Sequence, residues 1–156
     1  MDLNGLIWTK NVKPIDGERW AYQSILTIHP ELKIFALHWR NLKNKDEINA
    51  KTPQEGELMI LRQRSKVTHV VKMLNKQLYS DGNAGEEFNI YRLVQVVWMT
   101  NDWEHPPENY KVFDCSIYFP PFGKAIKLEN LQKFQKRWGK EGLAFQQHFQ
   151  SVLNIH

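Results

Sequence analysis

The chain holds a single cysteine, Cys115, in 156 residues. One thiol excludes an internal disulfide and a cysteine-rich metal site. Its neighbours Phe113, Ile117 and Phe119 mark it as a buried, inert group rather than a nucleophile. No apolar run approaches the ~20 residues needed to cross a bilayer. Met1-Asp2-Leu3-Asn4-Gly5 lacks the basic region and apolar segment of a secretory signal, so a cytoplasmic protein is expected. The six histidines, at positions 29, 38, 69, 105, 148 and 156, form no HExxH pair, and no metal or cofactor is expected. Gly82-Asn83-Ala84-Gly85 is not followed by the lysine and hydroxyl residue of a phosphate-cradling loop, and Gly-x-Ser-x-Gly is absent. Internal repeats, low-complexity tracts and linkers are missing as well, leaving one domain over residues 1–156.

What is present is apolar and aromatic. Hydrophobic residues make up 42% and charged residues 24%, a globular balance, and six tryptophans exceed what one small core needs. The net charge of +4 is unevenly spread: residues 1–80 hold 13 basic and 8 acidic groups, residues 81–119 hold 2 and 7, and residues 120–156 hold 6 and 2. Between Leu58 and Ser80 there are five basic residues and no acid. Such a field attracts polyanions.

Patterning predicts strands near 6–9, 32–40, 58–62, 67–74, 90–99 and 111–119. Ile90–Met99 is nearly continuous in apolar residues, which predicts a central strand covered on both faces. Residues 17–22 read as a turn or short helix, 41–55 as a loop with one helical turn, and 80–85 as a turn. From about 128 to 153 the period changes: Leu128, Leu131, Phe134 and Trp138, then Phe145, Phe149 and Val152, recur every three or four residues, predicting helices broken at Gly139 and Gly142. Strands followed by helices predict an α+β domain with a strongly curved sheet of five to six strands.

Chemistry is concentrated where strands end. Arg62-Gln63-Arg64 closes the best strand, and alternation predicts Arg62 and Arg64 on one face with Gln63 on the other. His38-Trp39-Arg40 closes a second strand, and Trp98 through Asn101 to Trp103 closes a third. Indole rings stack on unpaired bases, guanidiniums pair with phosphate, and carboxamides read base edges. If these ends share one side of the sheet they build a pocket for one base taken out of its stack. Exposed acids at Glu86-Glu87, Asp102 and Glu104 have no assigned chemistry, and His69 is the one candidate general base.

Phe35-Ala36-Leu37-His38-Trp39-Arg40, the strand start Gly56-Glu57-Leu58-Met59-Ile60, the run Val70-Val71-Lys72-Met73, the late strand Ile90–Trp98 and the stretch from Gly123 to Leu131 together resemble the PUA-like superfamily, most nearly its EVE and YTH branch. At Arg62-Gln63-Arg64 the chain departs from the tyrosine-histidine-serine-like run common in EVE domains. The resemblance implies an open β-barrel with flanking helices that binds a modified base in DNA or RNA through an aromatic cage. By position it implies Trp8, Thr9, Lys10, Trp39 and Arg62-Gln63-Arg64 at the site, beside Arg40, Trp98, Asn101 and Trp103 from the strand ends. The ASCH branch implies an alternative, an enzyme acting on RNA or nucleosides with His69 and Lys66 or Lys72 as acid and base. A third reading is a protein-interaction module whose acidic 81–119 segment meets a basic partner.

Overall fold

The computed structural model describes residues 2–14, 19–24, 31–82, 87–120, 123–139 and 142–154. Seven strands form one mixed sheet: β1 (Leu6–Asn11), β2 (Ile34–Trp39), β3 (Leu58–Gln63), β4 (Lys66–Met73), β5 (Tyr79–Ser80), β6 (Ile90–Met99) and β7 (Ile126–Lys127). Their order is β2-β6-β4-β3-β1-β7, with β5 paired to β6. β1 runs parallel to β3; the other pairings are antiparallel. Four α-helices among the described residues accompany the sheet: α1 (Asn44–Lys51), α2 (Asn109–Phe113), α3 (Gln132–Trp138) and α4 (Leu143–Val152). No helix among the described residues is long and apolar enough to cross a membrane.

The α+β class and the C-terminal helices agree with the sequence pattern, whereas several details do not. Residues 111–119 are not a strand: α2 ends at Asp114, whose φ of 51° turns the chain, and the apolar side chains of the segment pack from irregular backbone. The strand that closes the sequence order is instead the two-residue β7, held to β1 through Trp8 and Thr9. The 41–55 region carries α1, two turns long. Parts of the 17–22 and 80–85 turns lie outside the described residues.

Two apolar clusters explain the layering. Met59, Leu61, Val71 and Met73 point into one, with Phe35, Leu37, Trp39 and Trp8. Leu58, Ile60, Val67 and Val70 point into the other, where α2, α3 and α4 contribute Phe113, Phe134, Phe145 and Phe149. β3 is therefore the strand buried along its whole length, while β6, the strand expected to be covered on both faces, alternates buried with half-buried residues from Ile90 to Val94 and is half-buried from Gln95 to Met99. Each large side chain so buried stabilises the fold by about 2–3 kcal/mol. Phe145 anchors α4 by stacking on Phe113, and Phe149, one turn on, packs against Phe145.

The sheet is not closed into a barrel: among the described residues no ladder joins β2 to β1 or β7. Side chains span the gap instead. Trp39 of β2 donates its indole N–H to Asn49 of α1 at 2.9 Å. Asn49 in turn exchanges hydrogen bonds with the backbone of Ala125, just before β7, at 2.8 and 2.9 Å. Lys10 Nζ of β1 lies 4.9 Å from the centre of a Trp39 ring. The two ends of the curled sheet thus meet through a polar seam.

β3 and β4 are joined by a two-residue turn in which Arg64 and Ser65 both have positive φ, 52° and 63°. That geometry suits the twist of a hairpin but normally selects Asn-Gly, and a side chain in this region costs about 1 kcal/mol. Ser65→Gly should raise stability by about 1 kcal/mol, read as a higher urea midpoint at unchanged slope.

Candidate functional site

The 19–24 segment, stapled over one end of the sheet, defines the site. Gln63 Oε1 accepts from the Ala21 amide at 2.8 Å, and its Nε2 donates to the Arg19 carbonyl at 3.0 Å. His69 Nε2 sits 3.0 Å from the Tyr22 carbonyl and Nδ1 2.9 Å from the Thr68 hydroxyl. A carbonyl only accepts, so Nε2 carries the proton and Nδ1 receives one from Thr68. Burial pushes His69 down to about 4, with the Tyr22 bond opposing. Tyr22 is left in the left-handed region at φ 58°, stacked on Phe35 at 4.4 Å, its hydroxyl accepting the His38 amide at 3.0 Å. A tyrosine held in that conformation by three separate partners is strain maintained by its surroundings.

Tyr22 forms one wall of a cavity of about 330 Å³ lying along the gap between the sheet ends. Its inner wall is Lys10, Val12, His38 and Gly123; its mouth carries Lys13, Arg40, Glu87 and Phe88. This is the lower end of the size range for small-molecule pockets, about 300–1,000 Å³. Lys13 Nζ rests 4.9 Å from the centre of the Phe88 ring, and Arg40 Nε lies 3.5 Å from Glu87 Oε1.

Two titratable groups line the interior. Burial, reinforced by the Arg62 charge, lowers Lys10 from 10.5 to about 7. Its Nζ donates to the Gly123 carbonyl at 2.6 Å. A β carbon at Gly123, where φ is 68°, would come within 3.4 Å of that Nζ and 3.1 Å of the Asn11 carbonyl oxygen, so only glycine leaves this approach open. His38 is lowered by burial, partly offset by Asp81, whose Oδ2 is 3.8 Å from Nε2.

The residues singled out in the sequence separate into four groups. Lys10 and Arg40 line the cavity. Arg64 and Trp103 meet across Trp20 on the other side of the 19–24 segment: the Arg64 guanidinium is 5.5 Å from a Trp20 ring centre, Trp103 is 6.3 Å from Trp20, and Arg19 is 5.9 Å away. Trp8, Thr9, Trp39, Arg62 and Gln63 are interior. Trp8 donates to Glu57 at 2.9 Å, and Arg62 Nε donates to the Thr9 hydroxyl at 2.7 Å beneath Phe119, whose ring centre is 3.7 Å from the guanidinium. Burial pushes Arg62 down to about 9. Trp98 packs half-buried in the helical cluster, and Asn101 is exposed in the following loop.

The expected alternation of Arg62, Gln63 and Arg64 fails for two reasons. The β3–β4 register shifts between Leu61 and Arg62, and Arg64 already belongs to the turn. Trp8, Trp39, Trp98 and Trp103 do not converge on one cage. The acid–base pair around His69 is not assembled either: the imidazole is fully buried with both nitrogens engaged, Lys66 bonds Glu108 at 3.1 Å, and Lys72 is exposed. The acidic 81–119 segment supplies counter-charges within the chain, through Glu87 to Arg40, Glu104 to Arg19, Glu108 to Lys66 and Asp114 to Arg137. No cluster of three or more metal-ligating side chains occurs among the described residues.

Sequence reasoning missed Lys13, Tyr22, His38, Phe88 and Gly123 as wall residues. His38 was within reach, as the neighbour of Trp39 and Arg40. The others come from separate segments with no shared motif. No family model, curated protein or solved structure matches the chain.

Proposed function

We propose that the chain is a nucleic-acid-binding module, a PUA-like domain of the EVE and YTH type, that receives one unstacked or modified base in the cavity between the ends of its sheet. The observation that carries this reading is the cavity itself: a hollow of about 330 Å³ with aromatic walls at Tyr22 and Phe88 and cations at Lys10, Lys13 and Arg40. An extruded base needs a flat apolar surface inside and positive charge where its backbone passes. Lys13 and Arg40 at the mouth supply the second requirement, and Arg19 and Arg64 around Trp20 extend the positive path across the segment that bears Tyr22. DNA and RNA both satisfy this description.

Labelled single-stranded and duplex oligonucleotides, titrated by fluorescence anisotropy between 50 and 200 mM salt, test it. Lys13→Ala combined with Arg40→Ala should weaken binding about tenfold or more. It should also flatten the log–log salt dependence by about 1.4, since each single-strand phosphate contact contributes about 0.7. Unchanged affinity and slope, or no retention of any oligonucleotide by the parent, would retire the proposal.

A further inference from the structure

The inner wall of the cavity holds an ammonium that no acid among the described residues pairs with. Lys10 Nζ uses one of its three donors on the Gly123 carbonyl and lies over the Trp39 face. The full charge nearest in effect is Arg62 on the adjoining strand, which repels it. Two described carboxylates near this end have other partners: Glu87 lies against Arg40 at the mouth, and Asp81 against His38. No carboxylate among the described residues forms an ion pair with Lys10. A buried cation without a counter-charge costs more than a hydrophobic side chain in the same place, unless something else completes it. The open volume beside Lys10 is the cavity of about 330 Å³ whose wall it forms.

We infer that Lys10 is the anchor for an anionic oxygen of the ligand, a phosphate or carboxylate drawn to the inner end of the cavity. This deepens the preceding reading and rests on it: the bound nucleotide is either a strand end with its terminal phosphate or a nucleotide whose base carries an acid group. An anion beside Nζ favours its proton, so binding is coupled to proton uptake. The parent Lys10 titrates near pH 7, and the competent fraction therefore falls about tenfold per pH unit above that. The other charged groups around the cavity are Lys13, Arg40, Glu87 and Asp81, and Arg62 behind the wall, pushed by burial down to about 9, begins to lose its proton only toward the top of the pH 7–9 range. His38 is neutral there, because burial holds it below its ordinary value. A phosphate monoester has also completed its ionisation by then, with its second pKa near 6. Lys10 therefore sets the slope between pH 7 and 8, below the range in which Arg62 titrates.

The test is tryptophan fluorescence, with Trp39 as reporter, on titration with thymidine, thymidine 5′-monophosphate and 5-carboxy-2′-deoxyuridine at pH 7, 8 and 9. One anionic ligand should bind at least tenfold tighter than thymidine at pH 7, and that advantage should shrink about tenfold per unit. Which of the two wins identifies the source of the anion. Lys10→Met should abolish the advantage, and Lys10→Arg, charged throughout, should keep it with a flat pH profile; the parent profile stands even if neither variant folds. An advantage that is absent at pH 7, or independent of pH in the parent, would overturn the assignment. Equal binding of all three with oligonucleotide binding intact sinks the anion site alone. Phosphate binding that needs Lys10 without any oligonucleotide binding sinks the nucleic-acid reading alone.

Discussion

Lys10→Met is expected to be more stable than the parent by about 3 kcal/mol at pH 6, with the gain disappearing as the pH approaches 10. A lysine displaced from 10.5 to about 7 by folding corresponds to about 5 kcal/mol of disfavoured charge, and loss of the bond to the Gly123 carbonyl returns about 1–2 kcal/mol. The sign follows from proton binding. Between pH 7 and 10.5 the unfolded lysine holds its proton and the folded one releases it, so parent stability rises with pH across that window. Methionine has nothing to titrate, and the two stability curves converge from below. Urea unfolding of both proteins from pH 6 to pH 10 measures the gap; parallel curves would mean that Lys10 is solvated in the folded state. If the variant is also the one that loses anion binding, the instability of the parent is a cost of recognition.

Arg92→Leu is expected to cost about 4 kcal/mol. Arg92, fully buried on β6, donates Nη1 to the carbonyls of Ala50 at 3.0 Å and Pro53 at 2.8 Å, and Nη2 to that of Asn75 at 2.6 Å. One guanidinium thereby ties the end of α1, where carbonyls lack helical partners, to the chain after β4. Removing it leaves three carbonyls without a donor, each worth about 1–3 kcal/mol when buried. Arg92→Lys should recover little, because an ammonium cannot reproduce the planar fork that reaches both segments. Denaturant unfolding checks this; a loss under about 1 kcal/mol would mean that water replaces the side chain.

Arg92 also illustrates what the sequence conceals. Its place in a nearly continuous apolar run advertises a strand, and the strand is there, but nothing local announces that its charge is consumed by three distant carbonyls. Arg62 conceals the same thing in reverse. At a strand end beside Arg64 it looks like a surface cation, yet Thr9 and Phe119, both more than 50 positions away, enclose it. The strands at 34–39, 58–63, 66–73 and 90–99 were legible because they carry long β-branched runs, and α4 because Phe145 and Phe149 keep a helical period. Residues 111–119 were misread because Val112, Phe113, Ile117 and Phe119 supply apolar content to the helical cluster without forming a ladder. β7 is two residues long, and its pairing is decided wholly by β1. The cavity draws on segments near 10–13, 22, 38–40, 87–88 and 123, so no contiguous motif could display it.

Gln63 and His69, both expected from the sequence to do chemistry, act instead behind the wall. Each holds the backbone of the 19–24 segment in place, Gln63 through Arg19 and Ala21 and His69 through Tyr22. A polar side chain in an apolar strand was a sound signal of importance. Its direction, inward to a loop rather than outward to a ligand, depended on a segment more than 40 positions earlier.

Because the ends of the sheet meet through Trp39, Asn49, Ala125 and Lys10 rather than through a ladder, hollow and scaffold are separable inheritances. Substitutions along that join can widen, narrow or recharge the recess while every strand keeps its register. A descendant could change its taste in ligands there without relearning how to fold.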